Sequence, residues 1–495
     1  MATDTESKLH ELPTEIIEQI ARSLSLADLT NFRLTCRDVA SRTNGPTFRS
    51  YFETRTTDLS AASLDRLAAI STSANFKSSI KKLTVLATIY DNVNAETIKS
   101  RAGEDLGPEE ISAAASWIQK MQREQEKQSA DGNAAVIDQL AVILKNADRL
   151  ETVDLSAAFI PGPNQSMAAS SAPYEALPSV WRRLSQVLSI ATAAMTQSNV
   201  RPTTPRIYPK WCCGAEARSI TRLMSALGTD KLAAVAASVR SFALTFTPTI
   251  MSAGEMAPPS AFDDLRSWRY TDGDPIAMLD DNFEGVPALL QLMPQLKSLD
   301  LAMYNTLEGD TLEYDRIMTD IARHIHFPDL QQCALRGLRT KKADLLRFLA
   351  NHASSICRLE LRHVALADRL AETGESCWHA VFPFISSMPK IEFLRLSGLI
   401  DEEMMVNLAP VGTLEQLIGE MPSWNDLEYR RGVSIEWEFG YLVSEREFDA
   451  EGMQKGLVYD REWLGTELNI GAATPWTEAR RFGVSALRFS GGYVH

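Results

Sequence analysis

Residues 330–336 read LQQCALR, and the same spacing of apolar positions returns in ICRLELR at 356–362 and in IEFLRLS at 391–397. Earlier runs of this type begin at Ile80, Leu150, Val239, Leu265 and Leu296. The last apolar positions of each run are separated by one residue, which is typical of a strand that buries one face. The sequence therefore predicts a series of short, half-buried strands.

The last six of these runs recur at a nearly constant distance. Their starts lie 26, 31, 34, 26 and 35 residues apart, and helical patterns fill the later intervals. These helical patterns cover residues 286–293, 312–325, 341–353 and 376–388. A strand followed by a helix at this period resembles a degenerate leucine-rich repeat. The resemblance implies an α/β fold in which residues 80–412 form an irregular solenoid of strand–helix repeats.

The regularity is lost towards both ends of this region. The first two intervals measure 70 and 89 residues, and they contain a predicted helix at 107–128 and a predicted flexible loop near 157–173 that is rich in Pro, Ser and Ala. Beyond the last run, residues 433–443 have the aromatic and β-branched content of a strand. Because a solenoid needs capped ends, we expect residues 413–495 to form a C-terminal cap.

A second signature lies near the N-terminus, where residues 9–43 read LHELPTEIIEQIARSLSLADLTNFRLTCRDVASRT. Its apolar residues recur at intervals of three and four, which predicts three short helices that begin near Pro13, Asp28 and Arg37. So small a unit buries little surface by itself. Its apolar stripe is therefore expected to contact a partner or, alternatively, to belong to the core of a larger domain. A further amphipathic helix at 60–72 lies in a predicted helical linker, residues 53–79.

Three motifs in this N-terminal stretch resemble an F-box. They read LPTEIIEQI at 12–20, LSLADL at 24–29 and FRLTCR at 32–37. An F-box is a short helical motif that docks onto the Skp adaptor of SCF ubiquitin ligases, and the resemblance here covers residues 8–52. The sequence departs from the family at Phe32, where an aliphatic residue is commoner. The resemblance implies that the adaptor-facing or motif-core residues are Leu12, Pro13, Ile16, Ile20, Leu24, Leu29 and Leu34.

The whole arrangement is similar to F-box proteins of filamentous fungi, in which irregular leucine-rich repeats follow an N-terminal F-box. This similarity implies a substrate-recognition subunit of an SCF-type ubiquitin ligase. Its partners would be a Skp-type adaptor, a cullin reached through that adaptor, and an unknown target protein. Two alternatives stay open: an interaction scaffold that binds the adaptor without promoting ubiquitination, and an unrecognised enzyme in the concavity of the repeats.

Composition excludes several other classes of protein. A formal net charge of -14 and a pI near 5.2 disfavour nucleic-acid binding. The start of the sequence lacks the pattern of a secretory signal, and no apolar window reaches the ~20 residues that a membrane-spanning helix needs. The six cysteines have neither disulfide-framework nor zinc-ligand spacing. We expect an intracellular protein, cytoplasmic or nuclear, that binds no nucleic acid and no membrane.

Catalytic motifs are also missing from the sequence. It contains no GxSxG, HExxH, P-loop or GxGxxG motif, so we predict no catalytic residue, no metal and no cofactor. His324 and His326 are interpreted as the basic end of a helix, and Cys212 and Cys213 as buried free thiols. The aspartate-rich segment 263–285 lacks the ligand spacing of an EF-hand and is interpreted as a solvated loop.

Arginines occupy one recurring position in the last three runs. Side chains alternate across a strand, so Arg336, Arg362 and Arg395 are expected on the face that points away from the core. Neighbouring strands lie about 4.8 Å apart, which would bring the three guanidinium groups together. We hypothesise that they bind an acidic or phosphorylated segment of a target, because arginine pairs bidentately with carboxylate and phosphate. The alternative is a solvated face on which Asp300 and Glu360 balance the charge.

Overall fold

The structure is a computed structural model of the 495-residue chain. It describes residues 12–90, 133–160, 177–209, 214–247, 279–303, 314–368, 377–401, 404–405 and 445–448, together with scattered positions between 108 and 123. Within these residues the fold is mixed α/β, with a helical region at the N-terminus followed by a large, mainly parallel sheet.

Four short helices form the N-terminal region. They are α1 (Thr14–Ser23), α2 (Leu26–Leu34), α3 (Arg37–Arg42) and α4 (Pro46–Ser50). The sequence predicted the first three, but α2 begins two residues earlier than expected because Ser25 caps it: the Asp28 backbone N–H donates to Ser25 Oγ. Helix α4 was not predicted, although Pro46 stands at its first position, where proline is favoured.

The strands that follow form two sheets. In chain order they are β1 (Thr54–Thr57), β2 (Lys82–Tyr90), β3 (Thr152–Ile160), β4 (Thr204–Ile207), β5 (Ala215–Glu216), β6 (Ser241–Thr247), β7 (Ser298–Met303), β8 (Gln332–Arg336), β9 (Arg339–Thr340), β10 (Arg358–Arg362), β11 (Ala365–Leu366), β12 (Phe393–Ser397), β13 (Ile400–Asp401), β14 (Met404–Met405) and β15 (Glu445–Phe448).

The larger sheet has 11 strands in the order β1-β2-β3-β4-β6-β7-β8-β10-β12-β15, with β5 paired to β6. All of its pairings are parallel except β12 with β15, which is antiparallel. Seven of the eight predicted runs lie on strands of this sheet, and the run that begins at Leu265 lies outside the described residues. The sheet therefore grows along one direction as the chain proceeds.

In the smaller sheet the same strand–turn–strand arrangement occurs three times. Its strands β9, β11 and β13 pair in parallel, and each follows a long strand after a short turn. The residue directly after the long strand has a positive φ in all three cases: Gly337 (64°), His363 (51°) and Gly398 (57°). This left-handed residue turns the chain out of the large sheet and into the small one.

Helices connect the strands of the large sheet. They are α5 (Ala61–Thr72), α6 (Ala134–Asn146), α7 (Leu177–Ser198), α8 (Ala217–Leu227), α9 (Thr229–Ala236), α10 (Gly285–Gln291), α11 (Asp315–His324), α12 (Lys342–His352) and α13 (Trp378–Ser386), with 3₁₀ turns at Lys77–Ser79 and Asp280–Asn282. The four predicted helices of the later intervals correspond to α10 to α13, and the predicted helix at 60–72 corresponds to α5.

One continuous hydrophobic core extends from Leu59 to Leu399 between the sheet and these helices. Along β8 and β10 every second residue is buried, so Leu335 and Leu361 pack inward while their neighbours lie on the opposite face. On the helical side Phe348 and Leu349 of α12 are fully buried in the same core. Each strand–helix unit therefore buries its apolar face against its neighbours.

Several expected segments differ from the structure or lie outside the residues it describes. The linker 53–79 contains α5 but also strand β1, which the sequence did not predict. The first residues of the predicted loop 157–173 form the end of β3, up to Ile160, and the rest of that loop is outside the described residues. The helix at 107–128 is described only at scattered positions, and the strand at 433–443 not at all. Of the cap at 413–495, the structure describes β15.

No helix in the described part of the chain has the length and apolar character required to cross a lipid bilayer.

Candidate functional site

Exposed apolar side chains are concentrated on the N-terminal helices. Among the described residues, five large hydrophobic side chains are exposed, and three of them lie on α1 and α2: Ile16 (41%), Leu26 (36%) and Leu34 (78%). We refer to Ile16, Leu26 and Leu34 as the α1–α2 apolar face. Exposed apolar side chains on a small helical unit are candidates for contact with a protein partner.

The structure divides the seven predicted F-box residues into three groups. Pro13, Ile16 and Leu34 are exposed, whereas Leu29 is fully buried. The remaining three are partly buried: Leu12, Ile20 and Leu24. Sequence analysis missed Leu26, whose signal was present as an apolar residue in the first turn of α2.

The buried side of the N-terminal helices has a small core. Ala21 of α1, Leu29 of α2 and Phe48 of α4 are buried against one another. Around them lie partly buried side chains, namely Leu24, Phe32, Tyr51, Phe52 and Phe76. Leu29 therefore lies in the core of the helical region.

Arg33 of α2 contacts residues at the end of α3 and in α4. Its guanidinium donates to Thr43 Oγ1 at 3.1 Å and to Asn44 Oδ1 at 2.9 Å, and it lies 3.8 Å from the centre of the Phe48 ring. Burial lowers the pKa of Arg33 from its ordinary value. Glu18 of α1 contributes a second tie, because its carboxylate accepts from the Thr47 backbone N–H at 2.6 Å.

Arg42 holds the entrance to α1. Its guanidinium donates to the backbone oxygen of Leu12, and it forms an ion pair with Asp38 at 3.2 Å. These contacts fix the chain just before Pro13, at one end of the stripe that contains Ile16. Polar contacts of Arg33, Glu18 and Arg42 thus hold the helices that carry the exposed apolar residues in place.

The second predicted site, formed by Arg336, Arg362 and Arg395, lies on the polar face of the large sheet. In the strand register Arg336 stands opposite Arg362, and Arg395 stands opposite Glu360. The three residues therefore lie on neighbouring strands, with Arg395 two residues out of line with Arg336 and Arg362. Acidic residues lie between them, as the alternative of a charge-balanced face requires.

Arg336 is already engaged within the protein. Its guanidinium contacts both carboxylate oxygens of Asp300, at 2.6 and 2.7 Å, and donates to the backbone oxygen of Pro209 at 3.1 Å. Burial raises the pKa of Asp300 from its ordinary value, and the charge of Arg336 opposes that rise. Arg362 is held less closely, with Glu360 at 3.6 Å. On this face acidic and basic residues stand side by side, and Arg395 has Glu360 opposite it on β10 and Glu447 opposite it on β15.

Possible metal ligands do not converge in the described residues. No group of three His, Cys, Asp or Glu side chains there could hold a metal ion. The ring of His326 stacks on the ring of His352, with 5.4 Å between centroids. His324 ends α11, and Cys212 and Cys213 lie outside the described residues.

An apolar cavity of about 70 Å³ lies between α7, α8, α9 and α10 and strands β4 and β6. Met195, Met224 and Met293 are among the residues that line it, and none of its lining residues is titratable. A catalytic pocket needs polar or titratable groups that converge on a substrate. This cavity therefore offers no chemistry for an enzymatic reaction.

Comparison with known families identifies the N-terminal region. Residues 9–50 match the F-box domain, and the match spans helices α1 to α4. No curated protein matches the chain. F-box domains typically bind Skp-type adaptors, and proteins with this domain are generally non-catalytic. The F-box domain at 9–50 therefore suggests an adaptor-binding role for this chain.

Proposed function

We propose that this protein is a substrate-recognition subunit of an SCF-type ubiquitin ligase. The observation that carries the proposal is the α1–α2 apolar face, which lies within the residues that match the F-box domain. The Skp-type adaptor covers this face, and cullin joins the assembly through the adaptor. Pro13 and the partly buried residues Leu12, Ile20 and Leu24 border the contact.

Burial of apolar surface drives the association. Each Å² of apolar area removed from water contributes about 25 cal/mol before the costs of association are subtracted. Leu34 has the largest exposed fraction among the exposed hydrophobic side chains of the described residues, so it has the most to gain from a partner. Leu29 contributes indirectly, because it holds α2 against α1 and α4.

We propose further that residues 80–412 form an irregular leucine-rich-repeat solenoid that holds the target protein. Two observations support this: the strands of the large sheet are parallel and follow chain order, and the later strands are separated by single helices. Ubiquitin transfer then needs no nucleophile in this chain. The chain holds a lysine of the target near a conjugating enzyme that carries ubiquitin, so the reaction between the two takes place within one complex.

The adaptor contact is tested by capture of a Skp-type adaptor and cullin with the full-length chain. The variants are Ile16→Asp and Leu34→Asp, and the matched control is Val142→Asp, because Val142 is 55% exposed but lies on α6. We expect the wild type and the control to capture both proteins, and the two F-box variants to lose capture. Equal capture by all four proteins would contradict the proposed contact.

We propose that Arg336, Arg362 and Arg395 contribute to target binding by contacting an acidic or phosphorylated segment. Arg362 is more available than Arg336, because its ion pair with Glu360 is long, at 3.6 Å, whereas Arg336 is held by Asp300 at 2.6 Å. Arg336 would have to exchange Asp300 for the target, so it contributes less.

This second proposal is tested with an array of acidic and phosphorylated peptides probed with the full-length chain. Arg362→Glu should lose the peptides that the wild type retains, whereas Arg347→Glu should retain them, because Arg347 lies on helix α12 and is half exposed. Adaptor capture should be equal in both variants. Unchanged peptide binding by Arg362→Glu would exclude a role for Arg362 in target binding.

A further inference from the structure

Three phenylalanines connect the adaptor-binding helices to the large sheet. Phe48 belongs to α4, Phe52 lies between α4 and β1, and Phe76 lies just before the 3₁₀ turn that leads into β2. We refer to them as the aromatic cluster. Phe52 and Phe76 are stacked with 4.3 Å between ring centroids, and Phe48 meets each of them edge-on, at 5.2 and 5.7 Å.

Phe76 comes from outside the F-box match and yet packs in the F-box core. The match ends at residue 50, while Phe76 packs against the cluster of Ala21, Leu29 and Phe48. Four residues later, Ile80 is buried in the core of the sheet. A single short segment therefore packs into both hydrophobic cores.

The backbone makes a second connection beside the aromatic cluster. Strand β1 begins four residues after α4 and pairs with β2 in parallel. The backbone oxygen of Glu53 accepts from the N–H groups of Lys81 and Lys82, each at 2.9 Å. Arg55 adds a guanidinium 4.6 Å from the centre of the Phe52 ring. The N-terminal helices and strands β1 and β2 are thus linked by aromatic packing, backbone hydrogen bonds and a cation–π contact.

The core of the helices alone is small. Five apolar residues of α1 to α4 are buried, namely Ile17, Ala21, Leu29, Val39 and Phe48, and a unit of about 40 residues usually needs further support to fold. Aromatic pairs stabilise a fold beyond the apolar area that they bury. The aromatic cluster provides this support from the sheet side.

We propose that the adaptor-binding helices and strands β1 and β2 form one cooperative unit that Phe76 closes, so that Phe76 is a positioning residue for adaptor binding although it lies outside the F-box. The part of this inference that concerns adaptor affinity rests on the proposed function. Coupling between two sites is reciprocal. Adaptor binding therefore stabilises β1 and β2, and loss of Phe76 lowers the fraction of molecules whose α1–α2 apolar face is ready to bind.

The first experiment is hydrogen exchange of the free full-length chain, which needs no adaptor. The variants are Phe76→Ser, Phe76→Tyr as the conservative change, and Leu349→Ala as a core change in α12, far along the chain. We expect the amides of α1 to α4 to exchange faster in Phe76→Ser, and at the wild-type rate in the other two. Wild-type exchange of α1 to α4 in Phe76→Ser would overturn the inference.

The second experiment measures affinity for a purified Skp-type adaptor. If only a tenth of the Phe76→Ser molecules have the adaptor-binding face formed, the affinity for the adaptor falls about tenfold. Phe76→Tyr and Leu349→Ala should bind the adaptor with the affinity of the wild type. In the wild type, adaptor binding should slow exchange of the Thr54–Thr57 amides, outside the F-box match. An unchanged affinity in Phe76→Ser, or no protection of β1, would refute the coupling. Failure of the wild type to bind the adaptor would instead refute the proposed function, and hydrogen exchange of the free chain would then decide by itself whether the cooperative unit exists.

Discussion

Ile16 and Ile17 are neighbours in α1, but they have opposite environments. Ile17 is fully buried, whereas Ile16 is 41% exposed. We predict that Ile17→Ala lowers the free energy of unfolding of the helical region by about 2 kcal/mol, since it leaves a cavity. Ile16→Ala should change that free energy by less than about 0.5 kcal/mol, as is usual at a surface position. Urea titration followed by hydrogen exchange of α1 measures both.

The same pair separates stability from binding. Ile16→Ala should weaken capture of the adaptor while Ile17→Ala, under conditions in which the helices remain folded, should retain it. The opposite pattern would mean that Ile16 serves the fold and that the adaptor contacts another part of α1.

His352 gives the protein a pH-dependent contribution to stability. Its Nε2 accepts from the Phe327 backbone N–H at 3.0 Å, so the ring is neutral with its proton on Nδ1, which donates to the Phe348 oxygen at 2.7 Å. Burial lowers the pKa of His352 from its ordinary value near 6.5. The unfolded chain therefore takes up a proton first as the pH falls, and stability is lost below about pH 6.5.

We predict that the unfolding midpoint in urea falls between pH 7.5 and 5.5 in the wild type and falls less in His352→Gln, which keeps an amide in place of the ring. Comparison of the two proteins is needed because burial raises the pKa values of Asp300 and Glu216, and these carboxyl groups act in the opposite direction at low pH. Parallel pH profiles for the two proteins would show that His352 does not titrate in this range.

Residue environments were only partly predictable from sequence. Spacing placed Ile16 and Leu34 on the F-box stripe, and alternation placed Arg336 and Arg362 on one face. Spacing could not show that Leu29 points into a core completed by Phe48, because that contact joins helices whose crossing geometry the sequence leaves open. The closeness of Asp300 to Arg336 depends on the register of β7 against β8, which is set by packing across the whole sheet.

At the scale of elements, the turn after each long strand carries a strict steric demand. A Cβ atom at Gly337 would collide with the backbone oxygen of Met303, and one at Gly398 would collide with the ring of His363. Both glycines also have positive φ. We predict that Gly337→Ala and Gly398→Ala each lower the free energy of unfolding by about 2 kcal/mol or more, as measured by urea titration.

His363 provides the matched comparison, because it holds the same position with a φ of 51°. Asparagine tolerates this conformation better than most residues do. His363→Asn should therefore retain most of the stability of the wild type. A large loss in His363→Asn, with little loss in the glycine variants, would show that side-chain contacts rather than backbone conformation govern the turn.

The long elements were predictable and the short ones were not. Apolar periodicity over five or more residues located the strands β8, β10 and β12 and the helices α10 to α13. The two-residue strands β9, β11 and β13 have no period to detect, and β1 reads TRTT, with no apolar residue. They form because the neighbouring turns and strands bring their backbones into register.

At the scale of the whole molecule, β15 covers the outer edge of β12, the last parallel strand of the large sheet. β15 pairs with β12 in antiparallel fashion through residues Glu445–Phe448. An unpaired strand edge offers backbone N–H and C=O groups to another chain. We predict that a chain ending at residue 440 forms oligomers and aggregates more readily than the full-length chain. Light scattering after size-exclusion chromatography measures this, and a monodisperse truncated protein would show that β12 does not need β15.

The order of the strands sets the distance between the F-box helices and the later strands of the large sheet. From β1, beside the F-box helices, to β12 there are eight strand-to-strand steps of about 4.8 Å each, or roughly 38 Å measured along the sheet. Because each unit contacts mainly its neighbours, the gain or loss of one strand–helix unit would shift the distal end by a single step and leave the proximal end unchanged. Under the proposed function, the distance between the adaptor-binding helices and a target held near β12 would therefore change in whole strand-to-strand steps.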